Sequence, residues 1–307
     1  MAGDTILVTG ANGLIGHALI RRLHGTGRKL VAMDRVTPEW LAPDVPVVFA
    51  DLADAPRIAE TMARFSIGAV AHCGAISGPM VANDKPDLVF RVNVSGTMAM
   101  AAAARLAGIG RFVFISSVAA YGGQPTQGPV PESTPLLAND PYGASKVACE
   151  AILGAYRRAG LDVIALRPTS VYGPRRTTDC AIRQMIADAQ AGRPTRFGFG
   201  AGARRQFVHV DDTAAAMALA LDASPRPRLA YNISGGTWLP LGEIAAMVKR
   251  ILPRADIGFA AADAARDSAI GALDLGAAQR DLGYVPRIPL EDGIRTYADW
   301  LATQPRS

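Results

Sequence analysis

The chain has 307 residues, half of them hydrophobic, so it can bury one large core or two coupled cores, and a disordered protein is excluded. Its net charge of +5 comes from arginines spread along the chain, without the basic run that would predict nucleic-acid binding. The three cysteines and four histidines lack the spacing of a disulfide framework or of a metal site.

The apolar runs of the chain are short. None has the length that a membrane span needs, and residues 1–8 enter a strand-like run without a charged leader. We therefore expect a cytoplasmic protein without a membrane partner.

Apolar, β-branched runs alternate with alanine-rich stretches through the first half of the chain. The predicted strands are residues 5–9, 29–34, 45–50, 69–73, 111–116 and 161–166. Few polar residues alternate within them, as expected of strands that are covered on both faces. Repeated strand–helix units of this kind predict an α/β fold with a Rossmann-type, doubly wound parallel sheet.

A glycine-rich segment, VTGANGLIG at residues 8–16, follows the first strand and opens a helix. Gly10 permits a tight turn, Gly13 lets the backbone approach a pyrophosphate, and Gly16 allows the helix to pack closely on the strand. The helix N-terminus supplies N–H groups and a positive dipole to the anion. The segment therefore predicts a dinucleotide-binding turn.

The second predicted strand ends at Asp34, eighteen residues beyond Gly16. A carboxylate at this place accepts hydrogen bonds from both hydroxyls of the adenosine ribose and repels a 2′-phosphate. The sequence therefore favours NAD over NADP, and the neighbouring Arg35 is the one residue here that suits a 2′-phosphate.

A second helix start contains a tyrosine and a lysine four residues apart, in NDPYGASK at residues 139–146. Asn139 or Asp140 can cap this helix, and Pro141 suits its first turn. Because residues four apart lie on the same face of a helix, Tyr142 and Lys146 share one face. That face continues to Cys149 and Leu153, and the opposite stripe is also apolar, with Ala144, Val147, Ala148, Ala151, Ile152 and Ala155. Two apolar faces predict that one lines the cofactor cleft and the other contacts a second copy in a homodimer.

After Pro168 the strand–helix alternation loosens, and proline and glycine become frequent. We predict that residues 1–167 form an NAD-binding Rossmann domain, to which residues 205–235 return. Residues 168–204 and 236–307 are predicted to form a smaller C-terminal substrate-binding region that shares a cleft with it.

Several motifs, in order along nearly the whole chain, resemble the extended short-chain dehydrogenase/reductase superfamily. Within it they are similar to the NAD-dependent epimerase/dehydratase family, which includes UDP-sugar 4-epimerases. The matching segments are residues 9–16, 51–52, 72–75, 93–97, 116–122, 142–146, 167–174 and 205–212. The resemblance implies cofactor contacts from Gly10, Asn12, Gly13, Leu14, Ile15, Gly16, Asp34, Arg35, Asp51, Leu52, Cys73, Gly74, Ala75, Asn93, Ile115, Tyr142, Lys146, Pro168 and Ser170.

The resemblance also implies the catalytic residues. Ser117, four residues before Tyr121, is the hydroxyl residue, with Ser116 as its neighbour; Tyr142 transfers the proton, and Lys146 is its electrostatic partner. Because a free phenol titrates near pH 10, serving as a base near neutrality costs about 4 kcal/mol. A cation at about 4 Å supplies a comparable amount at an effective dielectric near 20. Tyr142 can then remove a hydroxyl proton while hydride leaves the same carbon for the nicotinamide.

The substrate contacts implied by the resemblance come from Ser77, Ser117, Val118, Tyr142, Ser170, Arg176 and Arg205. Arg205 matches the family arginine that grips a diphosphate. Three positions depart from the UDP-sugar pattern: Ser170 replaces an asparagine, Gln206 replaces an aspartate, and Ala264 stands where a second phosphate-binding arginine is expected, with Arg266 two residues away.

Three classes of function follow. The first is a nucleotide-sugar 4-epimerase that works by transient hydride transfer. The second is an NAD-dependent dehydrogenase of a free sugar, sugar acid or polyol, and the third is a non-catalytic dinucleotide-binding sensor, which would not need Ser117, Tyr142 and Lys146. Sugar 4,6-dehydration is disfavoured, because dehydratases of the family carry an Asp-Glu pair after the hydroxyl residue and Val118 and Ala119 stand there in this chain.

Overall fold

The structure is a computed structural model that describes residues 3–38, 40–123, 128–224, 228–261 and 270–304. Ala264 and Arg266, on which the predicted second phosphate contact depends, lie outside the described residues.

The strands in the described part of the chain are β1 Thr5–Thr9, β2 Lys29–Asp34, β3 Val47–Phe49, β4 Ile67–His72, β5 Arg111–Ile115, β6 Val163–Pro168, β7 Ser170–Tyr172, β8 Thr195–Phe197, β9 Arg204–His209, β10 Ala230–Ile233, β11 Trp238–Pro240 and β12 Ile257–Phe259. Seven of them form a central sheet in the order β10-β6-β5-β4-β1-β2-β3, and each neighbouring pair is parallel. The six strands predicted from the sequence are all present, and their ends differ from the prediction by no more than two residues. The Rossmann-type fold is confirmed.

The helices that the structure describes are α1 Leu14–Leu23, α2 Ala55–Arg64, α3 Pro86–Phe90, α4 Gly96–Leu106, α5 Pro141–Arg158, α6 Ala181–Gln190, α7 Val210–Asp222, α8 Leu241–Ile251, α9 Gly276–Leu282 and α10 Leu290–Ala302. A π-helical turn, Arg91–Ser95, joins α3 to α4, and a 3-10 turn, Val118–Tyr121, follows β5. Helices α1 and α7 pack on one face of the central sheet, and α2, α4 and α5 pack on the other. Both faces are covered, which explains why strands such as β1 are buried along their whole length.

The later part of the chain forms a separate core from shorter elements. Strands β11, β9 and β7 form one small sheet and β12 and β8 another, and they pack with α6, α8 and α10 around a hydrophobic cluster of their own. Within residues 205–235, helix α7 packs on the central sheet and strand β10 forms its edge, whereas β9 lies in the small sheet. The predicted domain limits stay a prediction.

The carboxyl ends of β1, β2, β4, β5 and β6 all lie at one edge of the central sheet, because the strands are parallel. The strand order reverses direction between β1 and β4, where consecutive connections pass to opposite faces. In open α/β sheets a ligand binds in the crevice at such a switch point. The fold therefore gathers the predicted site residues along this edge. No helix among the described residues is long and apolar enough to cross a membrane.

Candidate active site

The glycine-rich turn has the geometry that its three glycines predict. Gly10 has a φ of 63°, and a Cβ there would lie 2.7 Å from the Cα of Gly74 on the neighbouring strand end. A Cβ on Gly16 would lie 2.2 Å from the carbonyl oxygen of Gly10, so helix α1 approaches the turn too closely for a side chain. At Gly13 a Cβ would lie 3.1 Å from the Gly10 carbonyl oxygen, and among the described residues, its chain neighbours aside, it would meet none other than Gly10 within 4 Å. The face of Gly13 is thus open to a ligand at the start of α1.

Asp34 is held beside this turn by backbone amides. Its Oδ2 accepts a hydrogen bond from the N–H of Asn12 at 2.9 Å, and its Oδ1 accepts from the N–H of Arg35 at 2.7 Å. The Arg35 guanidinium lies 3.6 Å from the carboxylate of Asp51, which compensates its charge. A carboxylate fixed at the end of β2 and an arginine paired elsewhere suit the ribose hydroxyls of NAD better than a 2′-phosphate. The remaining predicted contact here, Leu52, packs beside Gly74.

The end of β4 is fixed to the helices behind it. Asn93, on the π-helical turn, accepts a hydrogen bond from the N–H of Ile76 at 2.8 Å and donates to its carbonyl oxygen at 3.0 Å. Its amide also donates to the hydroxyl of Ser145 on α5 at 2.9 Å. Asn93 therefore ties the segment after β4 to α5, and a π-turn at this place is typical of a functional site.

The other predicted residues of this segment differ in exposure. Ser77 is exposed, whereas Cys73, Gly74 and Ala75 are half-buried. Burial raises the pKa of the Cys73 thiol to about 12, so this cysteine is a neutral packing residue at neutral pH.

Helix α5 begins as its sequence predicts. The carboxylate of Asp140, rather than Asn139, caps the helix by accepting from the N–H of Gly143 at 2.9 Å, and Pro141 occupies the first turn. Tyr142 and Lys146 are 7% and 2% exposed on the inward face. The Lys146 Nζ donates to the carbonyl oxygen of Ile115 at 2.8 Å and lies 5.6 Å from the centre of the Tyr142 ring.

Lys146 pairs with no carboxylate among the residues that the structure describes, so its charge acts on its surroundings. Together with burial it lowers the pKa of His72 to about 3. The structure thus places a buried ammonium beside the ring of Tyr142.

The structure distinguishes the two serines at the end of β5. Ser116 is fully buried, and its hydroxyl donates to the carboxylate of Glu150 on α5. The Ser117 hydroxyl accepts from the N–H of Ala119 at 3.1 Å and caps the 3-10 turn that packs against α5. Gly143 makes this packing possible, because a Cβ there would lie 2.5 Å from the carbonyl oxygen of Ala119. The Ser116 hydroxyl is bonded in the interior, whereas Ser117, 8% exposed, stands at the start of the 3-10 turn.

Sequence reasoning missed a buried polar network behind Ser117. Arg167 forms an ion pair with Glu150 at 2.6 Å, with side chains 6% and 4% exposed, and donates to the hydroxyl of Tyr121 at 2.8 Å. Tyr121 in turn donates to the amide oxygen of Asn232 on β10 at 2.7 Å. The network joins α5, β6, the 3-10 turn and β10, so it fixes the segment that carries Ser117. The only local signal was a glutamate four residues beyond Lys146 on the same helix face.

A cavity of about 280 Å³ opens beside the 3-10 turn. Its walls come from both parts of the molecule: Val118, Ala119, Gly122, Gly123, Asn139, Asp140, Thr169, Ser170, Arg204, Arg205, Gln206 and Ile270. Val118, Ser170 and Arg205, predicted as substrate contacts, all line it. The Thr169 side chain is 4% exposed, and its hydroxyl has no hydrogen-bond partner within the described residues.

The arginines around this cavity differ in what they contact. Arg204 lies over the ring of Trp238 at 4.9 Å, and Arg205 lies over the ring of Phe199 at 5.5 Å. Arg176 instead donates to the backbone carbonyls of Val171, Thr178 and Asp179. Through these three hydrogen bonds Arg176 stabilises its own loop, whereas Arg204 and Arg205 line the cavity.

Gln206 forms two hydrogen bonds to a distant loop, which its position in the sequence did not predict. Its Nε2 donates to the carbonyl oxygen of Gly271 at 2.7 Å, and its Oε1 accepts from the N–H of Leu273 at 2.9 Å. An aspartate could only accept, so it could not make both bonds. The glutamine closes one side of the cavity by holding residues 271–273 against β9.

These features correspond to those of a known family. Residues 6–234 match the model of the NAD-dependent epimerase/dehydratase family. The chain belongs to this family. It is 31% identical to dTDP-glucose 4,6-dehydratase of Streptomyces antibioticus over 96% of this chain and 91% of that protein. It is also 31% identical to UDP-glucose 4-epimerase of Mycolicibacterium smegmatis, over 94% and 95% respectively. The structure of UDP-glucose 4-epimerase of Thermus thermophilus in complex with NAD matches with a TM-score of 0.87 and 28% identity, covering 97% of this chain and 99% of that one.

Membership confirms the resemblance seen in the sequence motifs and the predicted cofactor, NAD. The protein is thus an NAD-dependent enzyme of the epimerase/dehydratase family, and the sensor hypothesis is set aside. The open face at Gly13 and the amide-held carboxylate of Asp34 fit that cofactor. The individual contacts predicted for the site residues stay predictions.

Proposed function

We propose that this enzyme is a nucleotide-sugar 4-epimerase acting on a UDP-sugar. The observation that carries the proposal is the arrangement of the cleft. The cavity is lined by Val118 and Ala119, which directly follow Ser117, by Asn139 and Asp140, which precede Tyr142, and by Arg204 and Arg205. A substrate hydroxyl near Ser117 and Tyr142 and a diphosphate at the arginines would match a nucleotide sugar.

The chemistry follows from the roles of the chain's own groups. Tyr142 takes the proton of the substrate hydroxyl, Lys146 stabilises the resulting phenolate, and Ser117 holds the substrate oxygen. NAD, when bound, supplies the hydride acceptor. Returning the proton from Tyr142 at the end of the cycle restores the starting state, so no further acid or base is needed.

Epimerisation is favoured over dehydration by the wall next to Ser117. Val118 and Ala119 line the cavity where a dehydratase of this family needs an acid and a base. Neither side chain can carry a proton. The similarity to dTDP-glucose 4,6-dehydratase therefore does not extend to the groups that dehydration requires.

A second candidate is a net NAD-dependent dehydrogenase of a free sugar, sugar acid or polyol. It is favoured by the small cavity of about 280 Å³, since typical ligand pockets hold roughly 300–1,000 Å³. Two further features favour a dehydrogenase. Gln206 is hydrogen-bonded to residues 271–273, and Ser170 has a small side chain. Arg205 would then bind a carboxylate instead of a diphosphate.

One experiment separates the two candidates. Purified enzyme with NAD is screened against UDP-sugars, free aldoses, sugar acids and polyols, with NADH absorbance and product analysis as readouts. An epimerase converts a UDP-sugar without net NADH, because the hydride returns to the same substrate. NADH formed in proportion to a free sugar acid, with no UDP-sugar converted, would refute the epimerase and support the dehydrogenase.

We further propose that the enzyme is a homodimer formed through α5. The stripe predicted to face a partner is half-buried or exposed in the single chain, and Ala151 and Ala155 are its most accessible members. Helices α3 and α4 lie beside α5 and expose Phe90 and Met98 at 38% and 47%. An apolar surface that spans neighbouring helices is typical of a subunit interface.

Sedimentation at micromolar concentration is expected to give a dimer. Ala151→Glu should shift it to monomer, whereas Ala159→Glu, one residue beyond the end of the same helix, should not. A monomeric wild-type protein would exclude the interface.

A further inference from the structure

Arg175 has an unusual environment in the loop that follows β7. Its backbone has a φ of 72°, in the left-handed region that L side chains rarely adopt. Its Nε is buried without a hydrogen-bond partner, and it forms no ion pair with a carboxylate in the described part of the chain. Burial alone lowers the pKa of this guanidinium. Strained backbone and an uncompensated, partly buried cation are features that cluster at ligand sites.

The Arg175 side chain reaches across to the glycine-rich turn. Its Nη2 lies 3.4 Å from the side-chain oxygen of Asn12, and its guanidinium carbon lies 5.6 Å from the centre of the Trp40 ring. Trp40 is held there by its own N–H, which donates to Asn12 at 3.0 Å, and by an edge contact with the ring of His17 at 4.1 Å. Asn12 lies between Gly10 and Gly13, so the guanidinium stands beside the turn that faces the cofactor.

The contacts of Arg175 with other described residues do not account for this placement. A hydrogen bond of 3.4 Å and a cation–π contact at a partly exposed site are both weak. A left-handed, non-glycine backbone costs more than either contributes. A ligand with negative charge at the glycine-rich turn would supply the missing interaction.

The loop is also rigid enough to present Arg175. Arg176 binds three backbone carbonyls of the same loop, and its own carbonyl oxygen accepts from the hydroxyl of Tyr297 on α10 at 2.6 Å. The two adjacent arginines therefore differ: Arg176 stabilises the loop by hydrogen bonds, and the side chain of Arg175 extends from the loop.

We propose that Arg175 binds the pyrophosphate of NAD and holds it against the glycine-rich turn from the side of the substrate-binding region. The N–H groups at the start of α1 and the guanidinium would then contact the pyrophosphate from two sides. Because the same loop leads into α6, the contact links cofactor binding to the part of the molecule that forms the cavity wall.

The test is binding by calorimetry, without substrate, of NAD, ADP and adenosine to the wild type and to Arg175→Gln, Arg175→Lys and Arg22→Gln. Arg175→Gln is expected to weaken NAD and ADP about tenfold to a hundredfold, since hydrogen bonds to charged groups have this size, and to leave adenosine within about twofold. Arg175→Lys keeps the charge and should lose less. Arg22 is exposed on α1, and its variant is the control for a lost charge.

The salt dependence is a second readout. The ADP affinity of the wild type should fall more steeply with salt than that of Arg175→Gln. Unchanged NAD and ADP affinities in Arg175→Gln, or an equal loss for adenosine, would overturn the proposal. Since no sugar is present, the outcome does not depend on whether the enzyme is an epimerase or a dehydrogenase.

Discussion

Lowering the pH should destabilise the protein through one buried imidazole, that of His72 at the end of β4. The ring is 1% exposed, with its Nδ1 2.7 Å from the Thr9 hydroxyl and its Nε2 3.1 Å from the Thr97 hydroxyl. Burial, and secondarily the nearby Lys146, lower its pKa to about 3. His72 is therefore neutral in the folded protein over the whole range in which most proteins are stable.

The size of the effect follows from the difference in pKa between the folded and unfolded states. An unfolded histidine titrates near 6.5, and the folded value is about 3. Because the folded pKa is depressed, His72 contributes no pH-dependent destabilisation above about pH 6.5, and its destabilising effect grows as the pH falls towards 3. At about pH 5, protonation of His72 in the unfolded state therefore lowers the free energy of unfolding by roughly 2 kcal/mol.

The assay is urea unfolding of the wild type and His72→Gln at about pH 7.5 and about pH 5. Other groups also contribute in this range, including His17, whose pKa burial lowers from 6.5 in the unfolded chain to about 4 in the fold. They are present in both proteins and cancel in the comparison. The wild type should lose about 2 kcal/mol more than the variant between the two pH values. Equal losses would show that His72 is protonated in the fold and would refute the argument.

Three further predictions concern other residues of the site. Tyr142→Phe should abolish turnover and leave the NAD dissociation constant within about twofold, and retained activity would exclude Tyr142 as the proton acceptor. Glu150→Ala should lower the free energy of unfolding by about 3–5 kcal/mol, because it leaves Arg167 buried without a counter-ion. The double variant Glu150→Leu with Arg167→Met should recover much of that loss, as measured by denaturant unfolding. Thr169→Val should leave the melting temperature of the ligand-free protein unchanged or raise it, because it removes an unpaired buried hydroxyl, and a fall of several degrees would mean that the hydroxyl has a partner.

The geometry of the glycine-rich turn and of the start of α5 was predictable because its signals are local. The glycines of residues 8–16 act on the turn in which they stand, and Asp34 follows from the length of one strand–helix–strand unit. The cap of α5 and the shared face of Tyr142 and Lys146 depend only on helix geometry. In each case the residues that determine the structure are within a few positions of the residue they place.

The substrate side was less predictable. Arg176 and Arg205 were both predicted as substrate contacts, yet Arg176 binds three carbonyls of its own loop and Arg205 lines the cavity. Gln206 was read as a lost aspartate, and the structure gives it two bonds that an aspartate cannot make. Which side chain faces a ligand depends on neighbours that come from distant parts of the chain.

The sequence by itself determined the parallel sheet, the glycine-rich turn and the shared helix face of Tyr142 and Lys146, because periodicity, glycine placement and helix spacing act over short distances. Only the tertiary structure decided that Ser116 joins Glu150 and Arg167 in the interior, and that Arg175 lies beside Asn12, 163 positions earlier in the chain. Buried charges must find partners wherever the fold brings them. No local pattern specifies which partner that will be, so these contacts appear only when the strands and helices are packed together.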